Sequence, residues 1–447
     1  MRCSMRVWRG DEKMDSRLIM HRTSKVEWQE SPVMVRGEGV WLYDEKGEKY
    51  LDLTAGNTRP VHIGYGREEV ARAAYDQMVR LTYMTPMQYR NEPALALAKK
   101  LGEIAPGKIE WFTFVCDGSE AVEAAIKLAR HYNYFKGEKR RYKIISRRGA
   151  YHGVTNGALR ALGSVLPMRH MMEPLGPGVI FAESPYCFRC PLHLSYPACD
   201  LACARDIERL IEFEDPEQIS VFLGEPIQQA FGAYAPPKEY WPLVAEICRN
   251  YGILLIDDEV ICGFGRTGRW FGIEHFEVEP DLMTMAKGIS SGYLPLGAVG
   301  CTEEVVGPIE TFYHLHTYAN HPVSCAAALK NLEIMERERL VERSRKMGEF
   351  FLDALKELEE HGLVGEARGT GLWLALDLTA DKKTRSPLPQ ERISRIVRRA
   401  RDKGVIIRAM GSALEFAPAL TIEEEEIAQG VRIVKEVLEE EEKRGRI

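Results

Sequence analysis

The sequence predicts an α/β fold built around a mostly parallel sheet. The apolar run 253–256 leads directly into Asp257-Asp258-Glu259, and a second apolar stretch, 282–286, leads into Lys287. Continuous apolar runs of this kind are typical of strands that are buried on both faces of a parallel sheet. Open sheets of this class bind ligands at the carboxyl ends of their strands, where both runs place ionisable side chains. We therefore expect the functional site at this edge.

The length and composition indicate a two-domain globular protein. A chain of 447 residues is longer than a domain with one hydrophobic core ordinarily is. Fractions of 45% apolar and 28% charged residues are ordinary for a globular protein. The net charge of −6 argues against a nucleic-acid partner, which would require a basic surface. No apolar run approaches the roughly 20 residues of a membrane helix. The first 15 residues lack the apolar segment of a signal peptide, so we expect a cytoplasmic location.

The ten cysteines are too dilute for a disulfide scaffold. Four of them, Cys187, Cys190, Cys199 and Cys203, are spaced as C-x2-C-x8-C-x3-C. This spacing resembles that of zinc ligands, although the intervening loop is shorter than in the usual zinc sites. We expect reduced thiols in a proline-rich surface insertion over 163–205, and we assign no metal site.

The N-terminal part of the chain predicts an arm, a small sheet and a loop. Residues 1–30 are polar and unpatterned, which indicates an arm that lies on a partner or on the rest of the subunit. Alternating apolar residues after residue 32 predict an antiparallel meander with turns at 36–37 and 46–47. A glycine-rich loop over 53–66 precedes a predicted helix over 68–81. Arg59 in this loop has two open interpretations: it binds an acidic group of a substrate, or it is tied to backbone carbonyls.

A strand over 111–115, a tight turn and a long helix from Ser119 follow. Asp117 and Glu120 have capping-box spacing, and Gly118 allows the backbone to approach a ligand closely. The free N–H groups of a helix N-terminus form a phosphate site, although a plain capped helix remains the alternative. Because a carboxylate repels phosphate, we interpret Asp117 as the cap.

The next elements predict a βαβ unit that ends in the central strand. The strand that begins KIISRR exits into Tyr151-His152-Gly153, where an aromatic ring either stacks on a ligand or packs in the core. A helix over 204–213, a strand over 220–224 and a helix over 237–251 complete the unit. Glu225, directly after that strand, either orients the site by hydrogen bonding or caps the strand end.

The chain after residue 320 predicts a helix from 322 to about 339, followed by alternating elements. These are a helix over 341–361, a strand over 369–378, a helix over 389–403, strands over 404–409 and 413–417, and a helix over 422–444. Thr421 and Glu424 have the capping-box spacing that marks the last helix start.

One lysine and one carboxylate at neighbouring strand ends suit an electron-sink cofactor. Pyridoxal phosphate (PLP) needs a lysine to hold its aldehyde as a Schiff base and an acid to keep its ring nitrogen protonated. The alternative for an isolated Lys-Gly pair is a lysine on a solvated turn. Glycines 263, 265 and 268 have a spacing that resembles a dinucleotide fingerprint, but no clear helix follows, so we reject that reading.

The segments DEVICGFGRTG and AKGISSGYLPLGAV resemble the signature of the class III (ω-) aminotransferases, which are PLP enzymes of fold type I, and within them the amine:pyruvate-type ω-transaminases. The resemblance runs from about Val40 to the C-terminus. It implies an aspartate-aminotransferase-like fold, in which a large domain with a mostly parallel seven-stranded sheet joins a small α+β domain from both chain ends. The implied boundaries are 1–55 and 321–447 for the small-domain parts and 56–320 for the large domain.

The same resemblance implies roles for individual residues. Lys287 holds PLP and acts as the base, and Asp258 faces the ring nitrogen. Tyr151 and Val260 lie on opposite ring faces, Val260 because it is two residues past Asp258 on the same strand face. The phosphate is bound by Gly118 and Ser119, and Thr317 reaches the phosphate of the neighbouring subunit. A homodimer with shared sites, or a higher oligomer built from it, is therefore expected.

The substrates are expected to be an amine or amino acid and a keto acid of the pyruvate type, which react by a ping-pong mechanism. Arg408 aligns with the mobile arginine of ω-transaminases, and Glu225 matches a glutamate beside the active site. Another class III chemistry (epimerase, aminomutase or decarboxylase) and a non-catalytic PLP-binding scaffold remain as alternatives.

Overall fold

Strands and helices alternate along most of the chain in the computed structural model, which describes residues 31–444. In chain order the strands are β1 (Met34–Glu38), β2 (Trp41–Asp44), β3 (Lys49–Asp52), β4 (Trp111–Val115), β5 (Lys143–Arg147), β6 (Val179–Ala182), β7 (Ile219–Gly224), β8 (Leu254–Asp258), β9 (Leu282–Met285), β10 (Gly297–Cys301), β11 (Val364–Thr370), β12 (Trp373–Asp381), β13 (Ser386–Pro387), β14 (Val405–Ile406), β15 (Arg408–Met410) and β16 (Ala413–Phe416). The α-helices are α1 (Glu68–Arg80), α2 (Glu92–Ile104), α3 (Gly118–Phe135), α4 (Asn156–Arg160), α5 (Leu166–His170), α6 (Ala202–Phe213), α7 (Tyr240–Asn250), α8 (Glu303–Val306), α9 (Pro322–Arg337), α10 (Leu340–Lys356), α11 (Gln390–Asp402) and α12 (Glu424–Arg444).

The central sheet has seven strands in the order β4-β10-β9-β8-β7-β5-β6. The pairs from β6 to β9 are all parallel. Strand β10 runs antiparallel to both of its neighbours. The predicted mostly parallel seven-stranded sheet is therefore confirmed. No helix in the part of the chain that the structure describes combines the length and the apolar character needed to cross a bilayer.

Strand β8 lies in the middle of this sheet, and all five of its residues are buried. Leu254 and Ile256 pack in the same apolar cluster as the buried face of α3, whereas Leu255 packs with α7 on the other side of the sheet. Successive side chains of a strand point to opposite faces. Asp258 therefore continues the face that is covered by α3, and Asp257 continues the opposite face.

A second sheet joins segments from the N-terminal and C-terminal parts of the described residues, because β14 pairs in parallel with β3 of the antiparallel meander β1-β2-β3. A further sheet with the order β11-β12-β16-β15 lies next along the C-terminal part, with β13 paired to β12. The predicted arm over 1–30 lies outside the described residues.

Two sequence expectations for these smaller sheets were wrong. The turn predicted at 36–37 lies inside β1, and the chain reverses at Gly39, which has φ +58°. The single strand predicted over 369–378 is a hairpin, because β11 turns into β12 at Gly371 with φ +57°. Two-residue hairpin turns need this left-handed backbone, which glycine adopts without a steric penalty.

Candidate active site

The carboxyl ends of β8 and β9 open into a cavity of about 1070 Å³. The residues that the sequence analysis assigned to a site line this cavity, with the exception of Thr317; they are Arg59, Gly118, Ser119, Tyr151, Glu225, Asp258, Val260, Lys287 and Arg408. These residues come from widely separated segments, and the sheet edge brings them together as expected for an open α/β fold.

Lys287 follows β9 and has a backbone φ of +47°, an uncommon conformation for a residue with a side chain. Its Nζ atom has no hydrogen bond or ion pair with another residue between 31 and 444. Burial and the charge of Arg59 lower the pKa of Lys287 to about 7, while Asp258 opposes this shift. With this pKa, about half of the lysine is neutral near pH 7, and the neutral form is the nucleophile.

This lowered pKa predicts the pH dependence of cofactor capture. Only a neutral amine attacks an aldehyde, so we expect the rate at which the cofactor-free protein binds PLP at Lys287 to rise through pH about 7. An unperturbed lysine would give the same rise near pH 10.4. Stopped-flow absorbance between pH 5.5 and 10 measures the profile. A rate that keeps increasing up to pH 10 would contradict the assigned environment.

Asp258 is held by three donors. Its Oδ1 accepts from Thr284 Oγ1 at 3.0 Å and from the Val260 N–H at 3.1 Å, and its Oδ2 lies 2.6 Å from His152 Nδ1. An ionised carboxylate is an acceptor only, so we assign the proton to Nδ1 of His152. No role was predicted for His152, and Thr284 was not predicted as a site residue. The signal that could have identified Thr284 is its position opposite Asp258 in the parallel register of β8 and β9.

The carboxyls on either side of Asp258 point away from the cavity. Asp257 and Glu259 are fully buried, and Glu259 Oε1 accepts the Ile273 N–H at 2.7 Å. Burial and the neighbouring Glu259 raise the pKa of Asp257 well above its ordinary value. Burial also raises the pKa of Glu259, to about 7. We infer that Asp257 is protonated and donates to Glu259, so Asp258 is the residue of this triplet whose carboxylate faces the site.

The turn before α3 fits a phosphate group. The side chain of Asp117 accepts the Glu120 N–H at 2.9 Å, which confirms Asp117 as the helix cap. Glu120 accepts the Cys116 N–H at 2.7 Å instead of closing a regular capping box on Asp117. A Cβ atom at Gly118 would lie 2.7 Å from Val260 Cγ1, so only glycine fits between the turn and Val260. The first N–H groups of this 18-residue helix remain available to an anion.

Tyr151 is positioned by Glu225. The Oε1 atom of Glu225 accepts the Tyr151 N–H at 3.1 Å, and its Oε2 accepts from Arg147 at 3.0 Å. These bonds favour the orienting role over the simple strand cap. Val260 also lines the cavity, but the argument from strand periodicity was wrong, because β8 ends at Asp258 and Val260 lies in the following turn.

Both Nη atoms of Arg59 donate to side chains rather than to the backbone carbonyls expected as one alternative, and its buried Nε has no hydrogen-bond partner among residues 31–444. Its Nη1 lies 2.5 Å from Glu415 Oε2, and its Nη2 lies 2.5 Å from Gln229 Oε1. The backbone-carbonyl alternative is therefore wrong, and the ion pair favours a structural arginine. Neither partner of Arg59 was predicted from the sequence.

Arg408 lines the cavity and belongs to the sheet with the order β11-β12-β16-β15. Its Nη1 donates to the Asn57 carbonyl at 2.6 Å. It begins β15, so the strand expected over 404–409 is interrupted between β14, which ends at Ile406, and β15. Thr317 is exposed in a turn and lies outside the cavity of its own chain. Its contact with a second subunit stays a prediction.

The four clustered cysteines are free thiols that line one small separate cavity. In the described residues, no three of them bring their sulfur atoms within 4.8 Å of one another; Cys116, Glu120 and His316 form the group whose ligand atoms are that close. We expect no stoichiometric zinc in the purified protein by metal analysis. About one zinc per chain, lost in Cys190→Ser, would contradict this expectation.

Comparison with known proteins gives consistent matches. The family model described as aminotransferase class-III matches residues 24–438. A putrescine–pyruvate aminotransferase of Pseudomonas aeruginosa is 36% identical over 414 residues, which covers 91% of this chain and 90% of the relative. A thermostable (S)-enantioselective ω-transaminase from Thermomicrobium roseum has a TM-score of 0.90 and 40% identity, with coverage of 95% and 96%. The ω-transaminase from Pseudomonas jessenii in complex with PMP has a TM-score of 0.91 and 33% identity, with coverage of 95% and 96%.

Proposed function

The chain belongs to the class-III aminotransferases, whose chemistry is PLP-dependent transamination, and on that premise we propose that it passes the amino group of an amine or amino acid to pyruvate. One observation carries the proposal: Lys287 and Asp258 line one cavity together with Gly118 of the turn before α3. The pyruvate acceptor of the Pseudomonas aeruginosa relative supports the choice of keto acid.

The residues of this cavity would have distinct roles in the reaction. PLP, when bound, supplies an electron sink for the electron pair that remains when the substrate Cα–H bond breaks. Lys287 would anchor the aldehyde carbon, be displaced by the substrate amine, and then take the Cα proton on its neutral Nζ. Asp258, fixed by His152 and Thr284, would hold a proton at the ring nitrogen. Tyr151 would stack on the ring opposite Val260, and the N–H groups of Gly118 and Ser119 would bind the phosphate.

Transfer of the amino group to pyruvate tests the proposal directly. We expect alanine to accumulate when the PLP-loaded protein is given pyruvate and members of a panel of amines and amino acids. An epimerase, aminomutase or decarboxylase would convert a substrate without net transfer, and a scaffold would do neither. Either outcome, with PLP bound, would overturn the proposal.

Arg408 is proposed to bind the carboxylate of pyruvate and to move aside for an amine that has none. Charge-assisted pairs contribute about 1.5–3 kcal/mol. Arg408→Ala should therefore raise the KM for pyruvate about 10- to 100-fold, while the half-reaction with a carboxylate-free amine keeps its rate. Single-turnover absorbance measures each half-reaction. Equal losses in both would indicate a structural role, and no loss would assign the carboxylate to another residue.

The working unit is proposed to be a cytoplasmic homodimer. The exposed position of Thr317, outside the cavity of its own chain, supports a contact across an interface. Sedimentation of the wild type as a dimer, together with weaker PLP binding in Thr317→Ala, would support the shared site. A monomer that binds PLP equally well with and without Thr317 would exclude it.

Three domain boundaries are also proposed. The small domain comprises 1–55 and 321–447, and the large domain comprises 56–320; the pairing of β14 with β3 supports this division.

A further inference from the structure

Arg59 and Gln229 line the cavity and belong to one hydrogen-bonded network with the buried Trp373 and Glu415; we name these four side chains the Arg59 wall. Arg59 donates to both Glu415 and Gln229 at 2.5 Å. Trp373 Nε1 donates to the second oxygen of Glu415 at 2.6 Å. Each member is at most 3% exposed, and Arg59 and Gln229 line the cavity. The wall is therefore a fixed network rather than a set of mobile side chains.

The wall carries no net charge, because the guanidinium of Arg59 is balanced by Glu415. Both oxygens of Glu415 are engaged, one by Arg59 and one by Trp373. A carboxylate that entered here would lose its hydration, meet a cation that is already paired, and lie near the charge of Glu415. Burying a charge without a free partner is costly. The wall therefore disfavours an acidic group on the substrate.

Gln229 gives the wall a directed donor. Its Oε1 accepts from Arg59 Nη2, and a guanidinium only donates, so the amide cannot take the opposite orientation. With Oε1 bound to Arg59, the polar atom of the side chain that remains is Nε2, which carries two N–H donors. Within residues 31–444, Nε2 has no hydrogen-bond partner, and it is not among the fully enclosed unsatisfied atoms. Since Gln229 lines the cavity, this donor is available to a bound molecule.

We propose that Gln229 is a specificity-determining residue that hydrogen-bonds an uncharged acceptor oxygen of the substrate, and that the Arg59–Glu415 pair selects against a second carboxylate. The favoured substrates are amines with an ether, hydroxyl or carbonyl oxygen away from the amino group, and keto acids without a second acid. This inference rests on the proposed transaminase function. A site that is built to bond an oxygen discriminates against analogues that lack it, because its own polar group is then left unpaired.

The first test compares methoxyalkylamines with n-alkylamines that have the same number of heavy atoms, such as 3-methoxypropylamine and n-pentylamine, with pyruvate as acceptor. Gln229→Leu keeps the approximate size of the side chain and removes the Nε2 donor, together with the acceptor of Arg59 Nη2. The ratio of kcat/KM for ether over alkylamine should fall about 3- to 10-fold in this variant, as expected for one neutral hydrogen bond. An unchanged ratio for every pair in the series would overturn the inference while leaving the function intact. Absence of transfer from all amines would overturn the proposed function and, with it, this inference.

The second test removes the carboxylate that is paired with Arg59. Glu415→Gln keeps the shape and an acceptor for Trp373 but leaves the guanidinium charge unbalanced. The ratio of kcat/KM for 2-oxoglutarate over pyruvate should then rise about 10-fold or more, the value of a charge-assisted bond. Glu441→Gln is the matched control, because Glu441 is also buried and paired with arginines, Arg392 and Arg395, but on α12 and outside the cavity. A folded Glu415→Gln protein with an unchanged ratio would overturn the inference. Should this variant fail to fold, the Gln229→Leu comparison decides.

Discussion

Lys287→Ala is expected to abolish amino transfer, with a loss in kcat of more than about 10⁴-fold. Two functions disappear together: the covalent anchor of the cofactor and the base that takes the Cα proton, and the base alone contributes about 10²- to 10⁴-fold. The substitution removes no hydrogen bond or ion pair of the side chain with the described residues, so the fold should be retained. Lys127→Ala is a matched control, since Lys127 is exposed on α3 and contacts only His314 through its Nζ atom in the described part.

The site of attachment is measured independently of activity. Borohydride should fix the pyridoxyl group of the yellow wild-type protein on a single peptide that contains Lys287, and the Lys287→Ala protein should give no such peptide. Labelling of Lys127 or of another lysine in the wild type would remove the basis for the whole site.

The centre of the site is predictable from the sequence because its determinants are local. A strand that is buried on both faces reads as an unbroken apolar run, and its period of two fixes which carboxylate continues which face. Asp258 and Lys287 each stand just past such a run, so their meeting at one sheet edge follows from parallel pairing alone. The cap at Asp117 is similarly a spacing of three residues within one turn.

The periphery of the site is not predictable in this way because its contacts join distant segments. Arg59 and Glu415 are 356 residues apart in the chain, and no local pattern relates them. The two alternatives for Arg59 stayed open at the sequence level for this reason. Gln229 lies in a loop after β7 with neither helix nor strand periodicity to fix its direction. Its amide is oriented by a tertiary contact, which only the folded structure provides.

Asp258→Asn is expected to lower kcat/KM about 10³-fold while the protein stays folded, since active-site groups shift the pKa of a partner by about 2–5 units. The amide oxygen can still accept from Thr284 Oγ1 and from the Val260 N–H, so the two hydrogen bonds to Oδ1 are kept. It lacks the negative charge that favours a protonated ring nitrogen. Single-turnover kinetics of the amine half-reaction measure the loss at the chemical step.

Asp257→Asn is the control that assigns the effect to one carboxylate. Burial and the neighbouring Glu259 raise the pKa of Asp257 well above its ordinary value, which favours its neutral form, and an amide N–H can replace the O–H of that form as a donor to Glu259. A neutral, nearly isosteric donor should cost about 1 kcal/mol or less, so kcat/KM should stay within about fivefold of the wild type. The strand period places this residue on the face opposite the cavity, beyond the reach of the ring nitrogen. Equal losses in the two variants would show that the charge is shared across the triplet and that Asp258 is not the residue that holds the ring proton.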